Sequence, residues 1–582
     1  THSESALAHP WPLSLGLGST ALLLWGLAVY VAKRRRQRGV LDPLNLRDDR
    51  GAYHALASAS GTKAPSSTSA PKPESTLSGK SGDIVIVGGG PSGLATALGL
   101  ARAGFTNIMV LESKPDYTTM EVTKSYCYAI DRRGRDWLRD LGLEEKFLKR
   151  AYENPNEIRY VMPDGETKVI SPPMTSQRVP TAWLWRNDLL QFLYEQVQEL
   201  YPNAIDVHFN AKCTSLQKHT APDGGVTLEV CAEENLAVGA RHTLLKPQFV
   251  IGSDGVQSAV REQLESWDSE FGLKALKHPS TGLPFKALPL NISTDMAPEG
   301  KMTVITGLNN EKVGIFPQNA GRHRISGCVR YGSHPLHAIT DADQLYEYLQ
   351  GEWPQIEWRE ALERQYAEEF VKTTPVRFPT VSYTTKLSTT FDAPEAAPLG
   401  RQCGVALVGD ALHAFPPDLG QGVNSSLEDV MVLQKALAET GNDLGKALER
   451  YEKDRKDDIY GLAHIQPIGF PYQYNKSFSL GKVLFFADFF ARTIGNKFFP
   501  FAINPPLIRS LYDLSYSDLL RRHRDTSRCF QATIVAALAA GWYLVKAGLG
   551  FWLSLGAWVS VVFGVMLSVG AALKAAPARS LA

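Results

Sequence analysis

The stretch Asp83-Ile-Val-Ile-Val87-Gly88-Gly-Gly90-Pro-Ser-Gly93 decides the fold of this chain. Its first half is a short apolar run, which is typical of a central strand in a parallel sheet. The glycine turn then opens a predicted helix that continues through Ala103, so strand, turn and helix follow in the order of a dinucleotide-binding unit. Gly88 permits the tight turn, Gly90 lets backbone N–H groups approach a pyrophosphate, and Gly93 allows close packing of helix on strand. The stretch predicts a Rossmann-like α/β domain.

The next segment supports a nucleotide ligand. Pro91 and Ser92 lie in the first helical turn, where the positive end of the helix dipole favours phosphate. A second predicted strand, Ile108 to Leu111, delivers Glu112 about twenty residues after the glycines, where an acidic side chain would accept hydrogen bonds from ribose hydroxyls. The unit alone does not distinguish NAD from FAD.

Two later segments also end a predicted strand at an aspartate. The second motif is Phe249-Val-Ile-Gly-Ser-Asp254-Gly255, followed by a helix. The third is Val405-Ala-Leu-Val-Gly409-Asp410-Ala-Leu-His413-Ala-Phe-Pro416-Pro417-Asp-Leu-Gly420-Gln421-Gly422-Val423-Asn424. Together with the glycine stretch, these motifs resemble the three fingerprints of the FAD-dependent aromatic hydroxylases, the group A flavoprotein monooxygenases of the para-hydroxybenzoate hydroxylase fold. The resemblance covers residues 83 to 440.

The resemblance implies FAD as cofactor and assigns roles to residues of the motifs. Asp410 would bind the ribityl or ribose region, Arg186 the FAD phosphates, and Asp254 both FAD and NADPH. The helix starting near Gly422 would point its N-terminus at the pyrimidine edge of the flavin, where reduction leaves negative charge. The full set of implied cofactor-binding residues is Gly88, Gly90, Pro91, Ser92, Gly93, Glu112, Arg132, Arg186, Asp254, Gly255, Asp410, Pro417, Gly420, Gly422, Val423 and Asn424. For His413, a structural histidine bonded to nearby backbone is favoured over a proton carrier.

Within this group, the chain resembles the kynurenine 3-monooxygenase branch most closely, including its C-terminal membrane attachment. Lys124 stands where that branch has an arginine that clamps the substrate carboxylate, and a lysine supplies the charge without the bidentate fork. Lys124 and Asn424 are therefore the substrate-pocket candidates, and Pro416 would shape the face of the flavin. No side chain is assigned as a nucleophile, and no metal site is predicted.

The implied reaction uses NADPH (or NADH) as a transient reductant, molecular oxygen, and a small electron-rich aromatic substrate that reacts with a flavin C4a hydroperoxide. Two other functions stay open. A membrane epoxidase or polyprenyl reductase would act on an isoprenoid lipid, and a flavin-binding membrane scaffold would not turn over at all.

The remaining segments outline the other domains. Short alternating runs at Met302 to Thr306, Val313 to Pro317 and Arg324 to Tyr331 predict an antiparallel substrate-domain sheet. Glu428 to Leu448 and Tyr451 to His464 are predicted helices. The predicted divisions are 83–265 and 396–465 for the FAD-binding domain, 266–395 for the inserted substrate domain, and 466–528 for an aromatic-rich helical region.

Both ends of the chain predict membrane contact. Trp11 to Ala32 is uncharged and long enough to span a bilayer, and its following basic cluster places the rest of the chain on the cytoplasmic side, or the equivalent organelle interior. This anchor with its basic flank occupies residues 1–50, and a disordered Ser-, Pro- and Lys-rich linker follows at 51–82. Residues 529–582 read as a transmembrane hairpin formed by Cys529 to Val545 and Phe551 to Leu573, with one crossing plus an interfacial helix as the alternative. An integral membrane protein with a lipid bilayer as partner is expected.

Composition narrows the function further. The chain has 61 Lys and Arg against 60 Asp and Glu, and this balance argues against a nucleic-acid partner. Its six cysteines are scattered without a CxxC pair, which favours a reducing compartment.

Overall fold

The structure is a computed structural model that describes residues 77, 80–118, 122–154, 157–170, 179–236, 239–317, 324–329, 334–474, 479–547 and 551–575. The predicted N-terminal span at 11–32 and most of the predicted linker lie outside these residues.

The described strands, β1 to β22 in chain order, are Ile84–Val87, Ile108–Leu111, Cys127–Ile130, Tyr152–Asn154, Ile158–Val161, Thr167–Ile170, Thr181–Trp185, Ile205–His208, Ala211–Thr220, Val226–Leu236, Gly239–Leu245, Phe249–Gly252, Lys274–Leu276, Pro284–Leu290, Met302–Thr306, Lys312–Ile315, Arg324–Val329, Val376–Arg377, Val381–Tyr383, Ser388–Asp392, Gln402–Leu407 and His413–Ala414. The described α-helices, α1 to α13, are Pro91–Arg102, Arg132–Asp140, Glu144–Leu148, Arg186–Leu200, Ala259–Trp267, Ala342–Glu352, Trp358–Ala361, Arg364–Lys372, Gly422–Glu439, Leu444–Gly469, Leu480–Phe498, Tyr516–Lys546 and Phe551–Ala575.

A six-stranded sheet in the order β20-β21-β12-β1-β2-β8 holds all three motifs. Strands β21, β12, β1, β2 and β8 pair in parallel, and β20 closes one edge antiparallel. Every residue of β1, β2 and β12 is buried, as expected for strands covered by helices on both faces. Because parallel strands end at the same edge, the three turns that follow β1, β12 and β21 meet there.

A seven-stranded sheet in the order β18-β14-β17-β16-β15-β5-β6 forms the second layer. The predicted antiparallel strands are present as β15, β16 and β17. The sheet is nevertheless mixed, because β15 pairs in parallel with β5. Strands β5 and β6 precede residue 266, so this sheet draws on chain from both sides of the second motif. In its core, Leu288 and Ile305 of the strands pack with Leu345, Trp353 and Trp358 of the segment that contains helices α6 and α7.

The predicted helix from Glu428 to Leu448 is wrong at its centre. Helix α9 ends at Glu439 and α10 begins at Leu444. Gly441 and Asn442 lie between them with φ angles of 66° and 64°, a left-handed conformation that terminates a helix. Asp443 then caps α10 by accepting a hydrogen bond from the backbone N–H of Lys446.

Contacts divide the described chain into two units. The larger contains the described residues up to 474 together with 507–519, and the smaller contains 479–506 and 520–575. Helix α12 starts at Tyr516, well before the predicted start at Cys529. Among the described helices, none combines the length and apolarity required to cross a bilayer. The C-terminal hairpin therefore stays a prediction.

Candidate cofactor and substrate site

The glycine turn after β1 is shaped by close backbone contacts. Gly88 has a φ of 99°, and a Cβ on Gly93 would lie 1.9 Å from the carbonyl oxygen of Gly88, so neither position tolerates a side chain. A Cβ on Gly90 would meet nothing within 4 Å. Pro91 is the first residue of α1 and no side chain caps the helix start. Its N–H groups therefore face a space that suits a phosphate.

Glu112 braces this turn from the end of β2. One carboxylate oxygen, Oε2, accepts a hydrogen bond of 3.0 Å from the N–H of Gly89, and the other accepts one of 2.8 Å from the N–H of Lys114. Tyr117 donates to the carbonyl of Gly89 at 2.7 Å. Because each carboxylate oxygen carries two lone pairs, Glu112 retains acceptor capacity toward a ribose hydroxyl.

Asp254 follows β12 at the neighbouring turn. Its Oδ2 caps α5 by accepting from the N–H groups of Ala259 at 2.7 Å and Val260 at 3.3 Å. Its Oδ1 is buried and has no hydrogen-bond partner in the described chain. Burial raises the pKa of this carboxyl group. An unpaired buried acceptor beside the glycine turn fits a hydroxyl or N–H donor from a bound dinucleotide.

The charge of Arg186 interacts with Asp410 of the third motif and with Glu112 beside the glycine turn. The Asp410 side chain is solvent accessible, although protein surrounds it closely enough for desolvation to raise its pKa. This combination describes a carboxylate inside a recess. Arg186, the first residue of α4, acts on the charges of both Asp410 and Glu112, and its own pKa is raised by Tyr128, Tyr126 and Glu112 against the opposing effect of burial. Arg186 is thus close enough to both carboxylates for their charges to interact.

The backbone of the loop after β21 approaches the recess. Pro416 precedes a 3₁₀ turn, Pro417–Leu419, which ends at Gly420 with a φ of 62°. Helix α9 begins at Gly422, its first turn has no acidic residue, and no side chain caps it. Val423 in that turn is buried. The helix start can therefore offer its N–H groups to a ligand that carries partial negative charge.

The side chain of Asn424 forms hydrogen bonds within the protein rather than lining a pocket. It is fully buried, its Oδ1 accepts from the N–H of Asp131 at 3.0 Å, and its Nδ2 donates to the carbonyls of Ala129 and Gly420 at 2.8 and 3.0 Å. These bonds occupy both amide protons. The geometry gives Asn424 the task of tying α9 to the start of α2, which differs from the predicted substrate contact.

Arg132 and Lys124 are associated with different parts of the larger unit. Arg132 lines a groove of about 520 Å³ with Gly99 and Arg102, which belong to the far end of α1. Gly99 lies nine positions after Gly90 along α1, or about 14 Å of rise, so the geometry does not place Arg132 at the glycine turn. Lys124 is half-buried at the end of the 3₁₀ turn Val122–Lys124, which packs against β14 of the second sheet.

A buried network beneath the third motif was not predicted. Asp429 accepts hydrogen bonds from the N–H of Gly409 at 2.9 Å and from Arg455 Nε at 2.8 Å. His413 Nε2 lies 2.9 Å from the same carboxylate, so its partner is a side chain rather than the predicted backbone group. His413, Asp429 and Arg455 are all buried. Burial alone would raise the pKa of Asp429, but its contacts with His413, Arg455 and the N–H of Gly409 outweigh that effect and lower the pKa.

Four aromatic rings form a continuous run of contacts around Phe285 of β14. Tyr126 contacts Phe285 at 6.5 Å between ring centroids, Phe285 stacks on Phe378 at 6.1 Å, and Phe378 contacts Tyr474 at 5.7 Å. We call these four residues the aromatic wall. Rings in offset or edge contact provide the apolar surface that a planar aromatic ligand prefers.

The "FAD binding domain" family matches residues 81–462. The chain is similar to kynurenine 3-monooxygenase of Anopheles gambiae, with 25% identity over 397 residues that cover 66% of this chain and 73% of the relative. It is also similar to kynurenine 3-monooxygenase of Caenorhabditis elegans, with 24% identity covering 80% of this chain and 99% of the relative. A p-nitrophenol 4-monooxygenase structure from Pseudomonas putida DLL-E4 aligns with a TM-score of 0.49 and 19% identity, covering 70% of this chain and 93% of that chain.

Proposed function

We propose, from the premise that this chain belongs to the FAD binding domain family and is an FAD-dependent monooxygenase, that it hydroxylates a small electron-rich aromatic substrate using molecular oxygen and NADPH or NADH. The observation that carries this proposal is the convergence of three motifs at one edge of the six-stranded sheet, and the aromatic wall, which includes Phe285 of the second sheet, adds apolar ring surface. The relatives named above are kynurenine 3-monooxygenases, which makes an aromatic substrate the first class to test.

The residues around the recess fit an extended dinucleotide. The open backbone at Gly90 and the start of α1 suit the pyrophosphate, with Arg186 as its cation. Glu112 and the unpaired Oδ1 of Asp254 provide acceptors for hydroxyl groups. When bound, FAD supplies hydride acceptance and oxygen activation, which protein side chains cannot provide.

The chain's own contribution to chemistry is electrostatic. The uncapped start of α9 directs N–H groups toward the recess. The backbone N–H of Gly409, the residue before Asp410, donates a hydrogen bond to the carboxylate of Asp429. Because the helix is fixed by a buried network, its dipole needs no rearrangement when negative charge develops nearby. Phe285 and Phe378 stack on each other and give the substrate side an apolar surface.

The test measures reduction of the flavin and incorporation of oxygen into the product. The purified protein should carry FAD, and NADPH or NADH should bleach the flavin under anaerobic conditions. With an accepted substrate under ¹⁸O₂, one labelled oxygen atom should enter the product, as measured by mass spectrometry. A substrate panel that includes kynurenine, phenols and an isoprenoid then assigns the class.

Three other results would change the proposal. Labelled product from the isoprenoid alone would favour the lipid epoxidase, and saturation of the isoprenoid without label would favour a reductase. Bound flavin that no reductant bleaches would favour a scaffold.

We also propose that the smaller unit attaches the protein to a lipid bilayer, with the larger unit on the cytoplasmic side or its organelle equivalent. Helices α12 and α13 expose apolar side chains, including Leu538 at 51%, Trp542 at 67% and Val559 at 50% of their surface. Apolar exposure of this extent is typical of an interaction surface. L538E should reduce co-flotation of the full chain with phospholipid vesicles, whereas L200E, at an exposed leucine of the larger unit, should not.

A further inference from the structure

Four buried polar residues form a cluster beside the loop of the third motif. Ser280 donates to Asp418 Oδ1 at 2.9 Å, and its N–H donates to His278 Nδ1 at 3.1 Å. The side chain of Gln466 is fully buried at the end of α10, where Gly469 packs on Leu419 of the same loop. We call His278, Ser280, Asp418 and Gln466 the polar cluster.

This cluster is short of hydrogen-bond partners. Asp418 Oδ2 and both amide atoms of Gln466 are buried without a partner in the described chain. His278 and Asp418 are only 7% and 8% exposed, and Gln466 is 0% exposed. Buried polar atoms are almost always paired, so a concentration of unpaired ones indicates that a ligand group is accommodated here.

The charge of the cluster selects the kind of ligand. The groups that lower the pKa of Asp418 are the side chains of Ser280 and Gln473 and a backbone N–H, all of them neutral, while burial raises it to about 6. His278 is also neutral near pH 7, because burial lowers its pKa to about 4. Tyr474 faces Asp418 with a raised pKa and is neutral too. An ionised, buried carboxylate without a cation is costly, and a protonated amine would offset that cost.

The cluster lies at one end of the aromatic wall. Tyr474, the last ring of the wall, is close enough to Asp418 for their charges to interact. The nearby loop residues Pro416 and Gly420 belong to the third motif. A ligand that stacks its ring on the wall can therefore place a substituent at Asp418.

We propose that Asp418 is a specificity-determining residue that selects aromatic substrates bearing a protonated amine. This inference rests on the proposed function, because it assigns the substrate class of that same site. Asp418 provides the charge, while the side-chain amide of Gln466 provides hydrogen bonds to polar atoms near the amine. His278 joins Gln466 to the cluster, because its imidazole accepts at Nδ1 from the N–H of Ser280 and forms a second hydrogen bond with the backbone of Gln466.

The experiment compares three phenols of similar size by isothermal titration calorimetry on the FAD-loaded protein. Tyramine carries an ammonium group, 4-ethylphenol is neutral, and 4-hydroxyphenylacetate is an anion. We expect tyramine to bind about tenfold more tightly than 4-ethylphenol at pH 7.5, with the anion weakest. D418N should abolish the preference, D418E should restore part of it, and D392N, which removes an exposed carboxylate on β20, should leave it intact.

The pH dependence gives a second measurement. The amine stays protonated over this range, so tyramine should bind about tenfold more tightly at pH 7.5 than at pH 5, as Asp418 loses its proton. D418N should show no such change. FAD content and melting temperature of each variant establish that it is folded.

The outcomes separate the two proposals. Equal or stronger binding of 4-ethylphenol, binding of none of the three, or a D418N protein that keeps the preference would overturn the role of Asp418, even if FAD is bound and reducible. Absence of FAD reduction overturns the proposed function, while the calorimetric preference for tyramine still reports on Asp418.

Discussion

Asp429 offers the sharpest test of how the third motif is held in place. The carboxylate is fully buried and accepts hydrogen bonds from Gly409 N–H and Arg455 Nε, with His413 as its third partner. D429N keeps the size of the side chain but removes the charge. One of its two terminal atoms becomes an NH₂ group, which faces donors instead of accepting from them.

The magnitude follows from burial. Removing one partner of a buried ion pair typically costs about 3–5 kcal/mol, because the other charge stays buried and uncompensated. Arg455 retains Glu428 at 2.8 Å, so we expect D429N to lower the free energy of unfolding by about 3 kcal/mol, within this range. That loss is a large part of the total of about 5–15 kcal/mol for a typical domain.

The assay is urea unfolding of the FAD-loaded protein, followed by flavin fluorescence. D454N provides the matched control, since Asp454 pairs with Arg450 at 2.7 Å on the same helix with side chains 27% and 40% exposed. An exposed pair of this kind contributes less than about 1 kcal/mol. The D429L–R455M double variant should lose less stability than D429N, because it removes both fully buried charges together and Glu428 keeps Arg133 at 3.4 Å.

Acid provides an independent check. The folded-state pKa of Asp429 lies below its ordinary value of 3.8, so its contribution is complete above that value and disappears as the pH falls through the folded-state pKa. The wild type should therefore lose this increment on acidification below about pH 4, and D429N should not. Equal destabilisation by D429N and D454N would refute the network as the support of the third motif.

Three further predictions concern the cofactor recess and its supports. G93A should fail to fold or lose several kcal/mol of unfolding free energy, because its Cβ would overlap the carbonyl oxygen of Gly88. G90A should keep its melting temperature but bind FAD more weakly. Equal effects of the two variants on stability and on FAD binding would contradict this assignment. R186M should weaken FAD binding by about tenfold or more in a fluorescence titration, and R150M, which removes an exposed arginine paired with Glu195, should not. N424A should lower the unfolding free energy by about 1–3 kcal/mol through lost buried hydrogen bonds; a raised KM for substrate at unchanged stability would instead support the predicted pocket role.

The sequence could predict the FAD-binding sheet because its signals are local. A strand, a glycine turn and a helix leave a periodic and compositional pattern within about 30 residues. For this reason β1, α1 and β2 were predicted close to their observed positions, as were the strands β15 to β17. The break between α9 and α10 was missed although Gly441 and Asn442 signal a helix end, because the apolar periodicity continues across it.

Residue roles depended on partners that are distant in sequence. Arg455 lies within Glu452-Lys-Asp-Arg-Lys-Asp-Asp458, a run that looks like a solvated helix face, yet it is fully buried against Asp429. Asn424 has the motif position of a ligand contact, but its side-chain amide is hydrogen-bonded to the backbone of Ala129 and Asp131.

The sequence by itself therefore determined the FAD-binding architecture and the order of its motifs, since local backbone requirements specify them. Only the tertiary structure decided which polar side chains are paired and which, such as Asp418 Oδ2 and Asp254 Oδ1, are left for a ligand. The physical reason is that burial and hydrogen-bond pairing are properties of three-dimensional surroundings, and segments more than a hundred residues apart supply those surroundings here.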